Sequence, residues 1–177
     1  MFTALQNVCR NVSKELGTGH SEAMYQKACS LLLQKLNVSH QLEYHVPVVV
    51  QLGQHMLNVG DERIDILLFD DDHNMYIVEL KAISARICPV QPKPNMALHS
   101  SHIQLLKYVN MLQKNENIRA SLKEGYVINF RQHATLDNMN AMEIEFNRYN
   151  INTRQWSFSM VNEDTNMHIP DESRLTQ

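Results

Sequence analysis

The stretch IDILLFDDDHNMYIVELKA, residues 64–82, constrains the fold more than any other part of the sequence. Two apolar, β-branched runs flank the polar turn DDDHN, which predicts a hairpin of strands at about 63–69 and 75–82. Asp65 and Glu79 lie inside these apolar runs, where a buried acid costs several kcal/mol unless a partner compensates it. The hairpin must therefore supply its own counter-charge or hold a cation from outside.

The spacing of the hairpin predicts where these two acids meet. A hairpin centred on Asp72 places Asp65 directly opposite Glu79, and directly opposed side chains have Cβ atoms roughly 4.5–5.5 Å apart. Like charges repel at that separation, and a hard divalent ion such as Mg²⁺, which binds carboxylate oxygens, removes the repulsion. Lys81 lies two residues after Glu79 and therefore points to the same face of its strand.

Two interpretations of this cluster stay open on spacing alone. In one, the acids bind a metal ion and Lys81 contacts a phosphate oxygen or a nucleophilic water. In the other, Lys81 neutralises one acid in a structural salt-bridge cluster. A register slip of one residue would also turn one acid to the opposite face of the sheet.

The rest of the chain predicts one domain of the α/β class (α+β, with a mixed sheet). Apolar residues recur at three- and four-residue steps in the helical segments, and strands are β-branched with turn residues between them. We expect this domain to cover 1–160, followed by a polar tail at 161–177. The predicted elements besides the hairpin are helices at 2–16, 21–36 and 100–115 and strands at 42–52 (Pro47 at an edge or bulge), 55–59, 126–130 and 142–146.

Composition limits the compartment and the partners. No apolar run approaches the roughly 18 residues that cross a bilayer, and the N-terminus lacks the pattern of a signal peptide. The three cysteines, Cys9, Cys29 and Cys88, form no CxxC pair, which argues against a zinc site or a disulfide framework. We therefore expect an intracellular protein, cytoplasmic or nuclear, that is neither secreted nor bound to a membrane.

The charge balance restricts how the protein can hold nucleic acid. The net charge is −3, with 16 basic and 19 acidic residues. Proteins that grip a duplex mainly by charge are usually basic. Any contact with nucleic acid is therefore expected to be local or assisted by a metal ion.

Two helical motifs accompany the acid pair. Glu22 and Tyr25 share a helix face three residues apart, and Gln104 and Tyr108 share one four residues apart. The segment GHSEAMY fits the pattern GxxExxY, and it is followed in order by Asp65, by ELK and by a QxxxY pattern. Over about residues 1–130 this order resembles the GxxExxY proteins of the PD-(D/E)XK nuclease superfamily.

The resemblance implies a restriction-endonuclease-like core, a central mixed β-sheet flanked by helices, and phosphodiester hydrolysis that depends on Mg²⁺ or Mn²⁺. It implies that Lys81 orients or activates the water and stabilises the developing charge. The implied metal ligands are Glu22, Asp65, Glu79 and the backbone carbonyl of Leu80. The implied catalytic residues are Glu22, Asp65, Glu79, Lys81, Gln104 and Tyr108, and the implied substrate-binding residues are Tyr25, Gln104, Lys107 and Tyr108.

Three features depart from the family pattern. Ile64 precedes Asp65 where the superfamily name has proline, the insertion at 84–98 is long, and 131–177 has no counterpart that we can place. The leading hypothesis is a nuclease with DNA favoured over RNA, acting on ends in DNA repair or recombination. The alternatives are a catalytically silent nuclease-fold module that binds nucleic acid or protein, and an ion-pair cluster in an unrelated α/β protein. Oligomeric state is open.

Overall fold

A computed structural model describes residues 1–87, 99–132 and 143–161 of the chain. Within these ranges the helices and strands alternate in the manner of an α/β domain. In chain order they are α1 (Phe2–Leu16), α2 (Glu22–Lys35), β1 (His40–Leu52), β2 (His55–Phe69), β3 (Met75–Lys81), α3 (Ser100–Gln113), α4 (Glu116–Arg119), β4 (Leu122–Phe130), β5 (Ile144–Asn150) and β6 (Gln155–Val161).

The six strands form one mixed sheet in the order β1-β2-β3-β4-β5-β6. Every neighbouring pair is antiparallel except β3 and β4, which run parallel because the chain crosses over between them through α3. One apolar core lies between the sheet and the pair α1 and α2, and a second lies between the opposite face and α3. This arrangement confirms the predicted fold class, a central mixed sheet flanked by helices.

Helix α1 follows the apolar spacing of the sequence, whereas α2 leaves the apolar residues Met24, Leu31 and Leu36 exposed. In α1 the buried residues lie at helical steps, and the helix ends at Gly17, whose φ of 67° suits glycine and whose N–H donates to the Ser13 carbonyl. The helix therefore stops at the predicted GTG segment. Cys9 and Cys29 are free thiols in the core between α1 and α2, and burial raises the pKa of Cys9. Cys88 lies outside the described residues.

Two predicted strands are one. The separate strands expected at 55–59 and 63–69 form the continuous strand β2, because the long antiparallel hairpin with β1 supplies backbone partners through the polar residues between them. The prediction for Pro47 is confirmed: β1 is an edge strand, and its register shifts between Pro47 and Val49. A proline is tolerated there because an edge leaves some N–H groups without a strand partner.

The C-terminal part of the sheet was predicted incompletely. A single outer strand was expected at 142–146, but the structure has a hairpin of β5 and β6, and the short helix α4 was not predicted. β6 carries polar residues at alternate, partly exposed positions of an edge strand, so its apolar signal is weak. It ends at Val161, the first residue of the predicted tail; the rest of that tail lies outside the described residues.

None of the helices in the described ranges combines the length and apolar character that a membrane span requires.

The β2–β3 hairpin has the predicted register. Its pairs run from Phe69↔Met75 to Ile66↔Val78. The turn between the strands is closed by two backbone hydrogen bonds, from the Asp70 N–H to the Asn74 carbonyl and from the His73 N–H to the Asp70 carbonyl. The pairing stops at Ile66↔Val78, one step before the two acids.

Candidate active site

Asp65 lies where β2 loses its regular pairing on both sides. Its carboxylate Oδ2 accepts a 2.7 Å hydrogen bond from the Leu80 N–H of β3, so a side chain replaces a backbone partner there. On the other side, the pairing with β1 passes from Leu42↔Ile66 to Tyr44↔Ile64 and skips Asp65. Ile64 and Ile66 then pack into opposite cores, although residues two apart in a regular strand share a face. The strand is therefore twisted at the acid.

Three acids surround one lysine at the end of β3. The Lys81 Nζ lies 2.7 Å from Glu79 Oε1 and 3.4 Å from Glu22 Oε2. Glu22 is the first residue of α2, so it approaches from the helical layer, while Glu79 is almost completely buried in the sheet. The charge of Asp65 also acts on Glu79 and Lys81. The structure thus brings together the acids and the lysine that the sequence predicted to meet.

Burial and mutual repulsion perturb the acids of this cluster. Burial raises the pKa of Glu79 to about 7, and the charge of Asp65 adds to the shift despite the hydrogen bond from Lys81. Burial also raises the pKa of Asp65, against the lowering effect of the Leu80 N–H. Burial therefore disfavours the ionised form of these two carboxylates, and a nearby cation favours it.

The pKa of Lys81 is also raised, although burial opposes this rise. Burial by itself lowers the pKa of Lys81, but the hydrogen bond to Glu79 and the charges of all three acids raise it overall. Both partners of this ion pair have raised pKa values for different reasons: Lys81 faces three anions, whereas Glu79 is buried and lies near the charge of Asp65. The cluster holds the lysine charged and leaves the acids under-compensated.

The donor set of the cluster fits a hard divalent cation. Glu79 Oε2 is buried and has no hydrogen-bond partner among the described residues. One lysine against three carboxylates leaves an excess of negative charge, and carboxylate oxygens suit Mg²⁺ and Mn²⁺. Within the described ranges, no three His, Cys, Asp or Glu residues are gathered closely enough to form a preassembled metal site. Instead, the Lys81 ammonium lies between Glu22 and Glu79.

Gln104 and Tyr108 lie behind the strand that carries Asp65. The Gln104 amide donates to the Tyr108 hydroxyl at 2.7 Å, and that hydroxyl donates to the Arg63 carbonyl at 2.7 Å. Tyr108 is fully buried, and burial raises its pKa to about 12. The contacts of this pair are with β2, and the assignment of both residues to catalysis and nucleic-acid binding stays a prediction.

The contacts of the predicted substrate-binding residues Tyr25 and Lys107 are with groups outside the acid cluster. Tyr25 is fully buried: its ring stacks on Phe130 at 4.5 Å, and its hydroxyl donates to the Gly17 carbonyl. The structure therefore places Tyr25 in the core, and its predicted role in substrate binding gains no support. Lys107 is half exposed and forms an ion pair with Glu62. The assignments of Lys107 and of the Leu80 carbonyl stay predictions.

Three residues near Asp65 were missed by the sequence analysis. The Gln26 amide nitrogen donates to the Asp65 carbonyl at 2.8 Å and to Glu43 Oε1 at 2.7 Å. The other Glu43 oxygen pairs with Arg63 at 2.6 Å. Gln26 lies one helical turn after Glu22, a signal that the sequence does contain, but nothing in the sequence marks Glu43 or Arg63.

The residues that follow Lys81 are attached to β4 and β5. Asn129 accepts from the Ile83 N–H and donates to the Ala85 carbonyl, and the buried Glu145 accepts from the Ile87 N–H. These bonds fix the beginning of the long insertion at 84–98, of which 88–98 lie outside the described residues. Part of the region beyond 131 thus has a structural role, because β5 anchors the chain next to the cluster.

Comparison with known proteins gives one match. A family model described as the PD-(D/E)XK nuclease superfamily matches residues 1–142. The match includes α1 to β4 and hence the whole acid–lysine cluster, which consists of Glu22, Asp65, Glu79 and Lys81. A search of the curated proteins and a search of the solved structures found no match.

Proposed function

The chain belongs to the PD-(D/E)XK nuclease superfamily, and on that premise we propose that it hydrolyses phosphodiester bonds with the help of Mg²⁺ or Mn²⁺. We further propose that it is a GxxExxY member and that DNA, rather than RNA, is the substrate. The observation that carries the proposal is the Glu79 carboxylate, which is buried next to Asp65 with one oxygen unpartnered. Such an arrangement is unfavourable unless a cation joins it.

Glu22, Asp65 and Glu79, with the Leu80 carbonyl, would hold the cation. When bound there, a divalent cation supplies positive charge against the negative charge of the phosphodiester and makes nearby water more acidic. The Leu80 N–H fixes one Asp65 oxygen, which leaves the other oxygen of that carboxylate for the ion. The protein thus offers hard oxygen donors from three elements, α2, β2 and β3.

Lys81 is suited to stabilising charge. Its raised pKa favours the ammonium form, whose three N–H donors can bind a phosphate oxygen. A protonated lysine cannot accept a proton from water, so we assign Lys81 to orienting the water and to stabilising the negative charge that develops on the phosphate. The contacts with Glu79 and Glu22 orient its ammonium towards the acids.

Binding of the substrate is expected to rely on few cations. The chain carries a net charge of −3, and Lys107, a candidate phosphate contact, already pairs with Glu62. We propose that Gln104 and Tyr108 guide the nucleic-acid backbone, as the QxxxY resemblance implies, and that the substrate is a DNA end processed in repair or recombination inside the cell.

One observation favours a second candidate, a nuclease-fold module that binds nucleic acid or protein without cleaving it. The Lys81 ammonium ion-pairs with Glu79 and lies close to Glu22, so it satisfies part of the cluster without a metal ion. In that case the acids and the lysine would be a structural ion-pair network, and the protein would bind its partner through another surface.

Cleavage assays with matched variants separate the two functions. Labelled single- and double-stranded DNA and RNA are incubated with the protein in Mg²⁺, in Mn²⁺ and in EDTA. Asp65→Asn and Lys81→Ala are expected to abolish a metal-dependent cleavage, while Asp71→Asn, in the exposed β2–β3 turn, retains it. Absence of cleavage by folded wild-type protein, together with absence of Mn²⁺ binding by calorimetry, would refute the nuclease and leave the binding module.

A further inference from the structure

The backbone of β2 around Asp65 is held by side chains from both helical layers. Gln26 of α2 donates to the Asp65 carbonyl, and Tyr108 of α3 donates to the Arg63 carbonyl. These carbonyls flank Ile64, and the β1–β2 pairing skips Asp65 next to it. Side chains therefore replace strand contacts at the position that carries the acid.

Gln26 makes two of these contacts with one nitrogen. Both hydrogens of its amide are used, one on the Asp65 carbonyl at 2.8 Å and one on Glu43 Oε1 at 2.7 Å. Glu43 has a φ of 50°, a left-handed conformation that is unfavourable for a glutamate and persists only when its surroundings hold it. The Gln26 amide thus ties the irregular residues of β1 and β2 together.

Glu43 is an anchor in this network and not a further metal ligand. One of its oxygens accepts from Gln26, and the other pairs with Arg63 at 2.6 Å. Both oxygens are therefore engaged, in contrast to the buried Glu79 Oε2, which has no partner among the described residues.

We propose that Gln26 is a positioning residue, which fixes Asp65 relative to Glu22. Gln26 lies one turn after Glu22 on α2, so its bond to the Asp65 carbonyl links the helix that carries one acid to the strand that carries another. The inference deepens the proposed function and rests on it, since the positioned acids are those proposed to bind the cation. Replacing a side chain that hydrogen-bonds a metal-ligating residue commonly changes the metal affinity by about 10- to 100-fold.

The test compares two substitutions that separate hydrogen bonding from packing. Gln26→Glu keeps the shape of the side chain, but at pH 8 its carboxylate has no N–H donor. It therefore places oxygen atoms against the Asp65 carbonyl and Glu43 Oε1, which accept from Gln26 in wild type. Gln26→Leu keeps bulk and removes both donors. Gln34→Leu, at an exposed position of the same helix, is the control. If Gln26 only fills space, Gln26→Glu should change Leu80 exchange and Mn²⁺ affinity little. If Gln26 positions Asp65, Gln26→Glu should change both at least as much as Gln26→Leu does.

Two measurements follow, both on full-length protein. The first is hydrogen exchange of the Leu80 amide by NMR without metal, since its N–H is bonded to Asp65 Oδ2. The second is Mn²⁺ affinity by calorimetry, alongside the Mn²⁺ concentration that half-saturates cleavage. We expect both Gln26 variants to exchange Leu80 about tenfold faster and to need about 10- to 100-fold more Mn²⁺, with the control unchanged.

The outcomes distinguish this inference from the proposed function. The positioning role would be overturned, even if the wild type cleaves DNA, by either of two results. In one, both variants keep wild-type Leu80 exchange and Mn²⁺ affinity; in the other, Gln26→Leu changes them and Gln26→Glu does not. If the wild type neither binds Mn²⁺ nor cleaves, yet both variants speed Leu80 exchange and the control does not, Gln26 still positions Asp65 and only the nuclease function fails.

Discussion

Replacing Glu79 with glutamine should change how the stability of the protein depends on pH. Because burial raises the pKa of Glu79 from 4.5 to about 7, the folded protein binds more protons than the unfolded chain between those values. The free energy of unfolding therefore falls as pH rises through this window. Glutamine resembles the protonated acid in shape and cannot ionise, so Glu79→Gln should remove this part of the fall.

The magnitude follows from the two pKa values. A rise from 4.5 to about 7 corresponds to about 3 kcal/mol, and linkage places about 2.5 kcal/mol of it between pH 5 and pH 8. From pH 5 to pH 8, the free energy of unfolding of metal-free Glu79→Gln should therefore rise by about 2.5 kcal/mol relative to that of metal-free wild type. Urea unfolding in EDTA at the two pH values measures the difference.

Titrating groups that do not interact with Glu79 are unchanged between the two proteins, so their contributions cancel in the comparison. Burial lowers the pKa of His102, for example, which makes stability rise with pH in both proteins. Glu15→Gln, at an exposed position of α1, should follow the wild-type curve. Parallel pH curves for wild type and Glu79→Gln would refute the argument that the buried carboxylate is under-compensated.

Added metal should stabilise wild type more than Glu79→Gln. If the ionised Glu79 binds Mn²⁺, wild type at pH 8 gains about 2.7 kcal/mol at 100 times Kd, and Glu79→Gln gains far less. A thermal shift with Mn²⁺ that is equal in the two proteins would show that the ion binds elsewhere.

The remaining predictions concern packing around the cluster. Tyr108→Phe leaves the Arg63 carbonyl without its donor and should cost about 1–2 kcal/mol in urea unfolding. Gly125→Ala should cost about 1–3 kcal/mol, because the new Cβ would lie 2.8 Å from a methyl group of the fully buried Leu105. Lys107→Ala breaks an ion pair with a half-exposed lysine and should change stability by less than about 1 kcal/mol, while weakening DNA binding if Lys107 contacts phosphate.

Controls make these three results interpretable. Tyr44→Phe, which removes the hydroxyl of a partly buried tyrosine on β1, should have little effect compared with Tyr108→Phe. Gly125→Ala combined with Leu105→Val should cost less than the sum of the two single substitutions, and additive costs would contradict the steric explanation. DNA affinity of Lys107→Ala that equals wild type at low and high salt would remove Lys107 from the binding surface.

The acid–lysine cluster was largely predictable because a short hairpin determines it. Residues 64–82 contain both strands and the turn, so local alternation and turn position set the register that the structure has. The second long strand was predicted in two pieces because the pairing with β1, which supplies backbone partners to its polar residues, is not visible in the sequence. The strand β6 was missed because its polar residues are tolerated at a sheet edge that only the assembled sheet defines.

The sequence by itself determined the buried face of α1, the β2–β3 register and the approach of Asp65 and Glu79 to Lys81, since each depends on residues close together in the chain. Only the tertiary structure decided that Gln26 and Tyr108 hold β2 from opposite layers, that Tyr25 is buried, and that one Glu79 oxygen lacks a partner. These features join residues far apart in sequence. Their hydrogen bonds and burial depend on how the layers pack, and local periodicity carries no information about that packing.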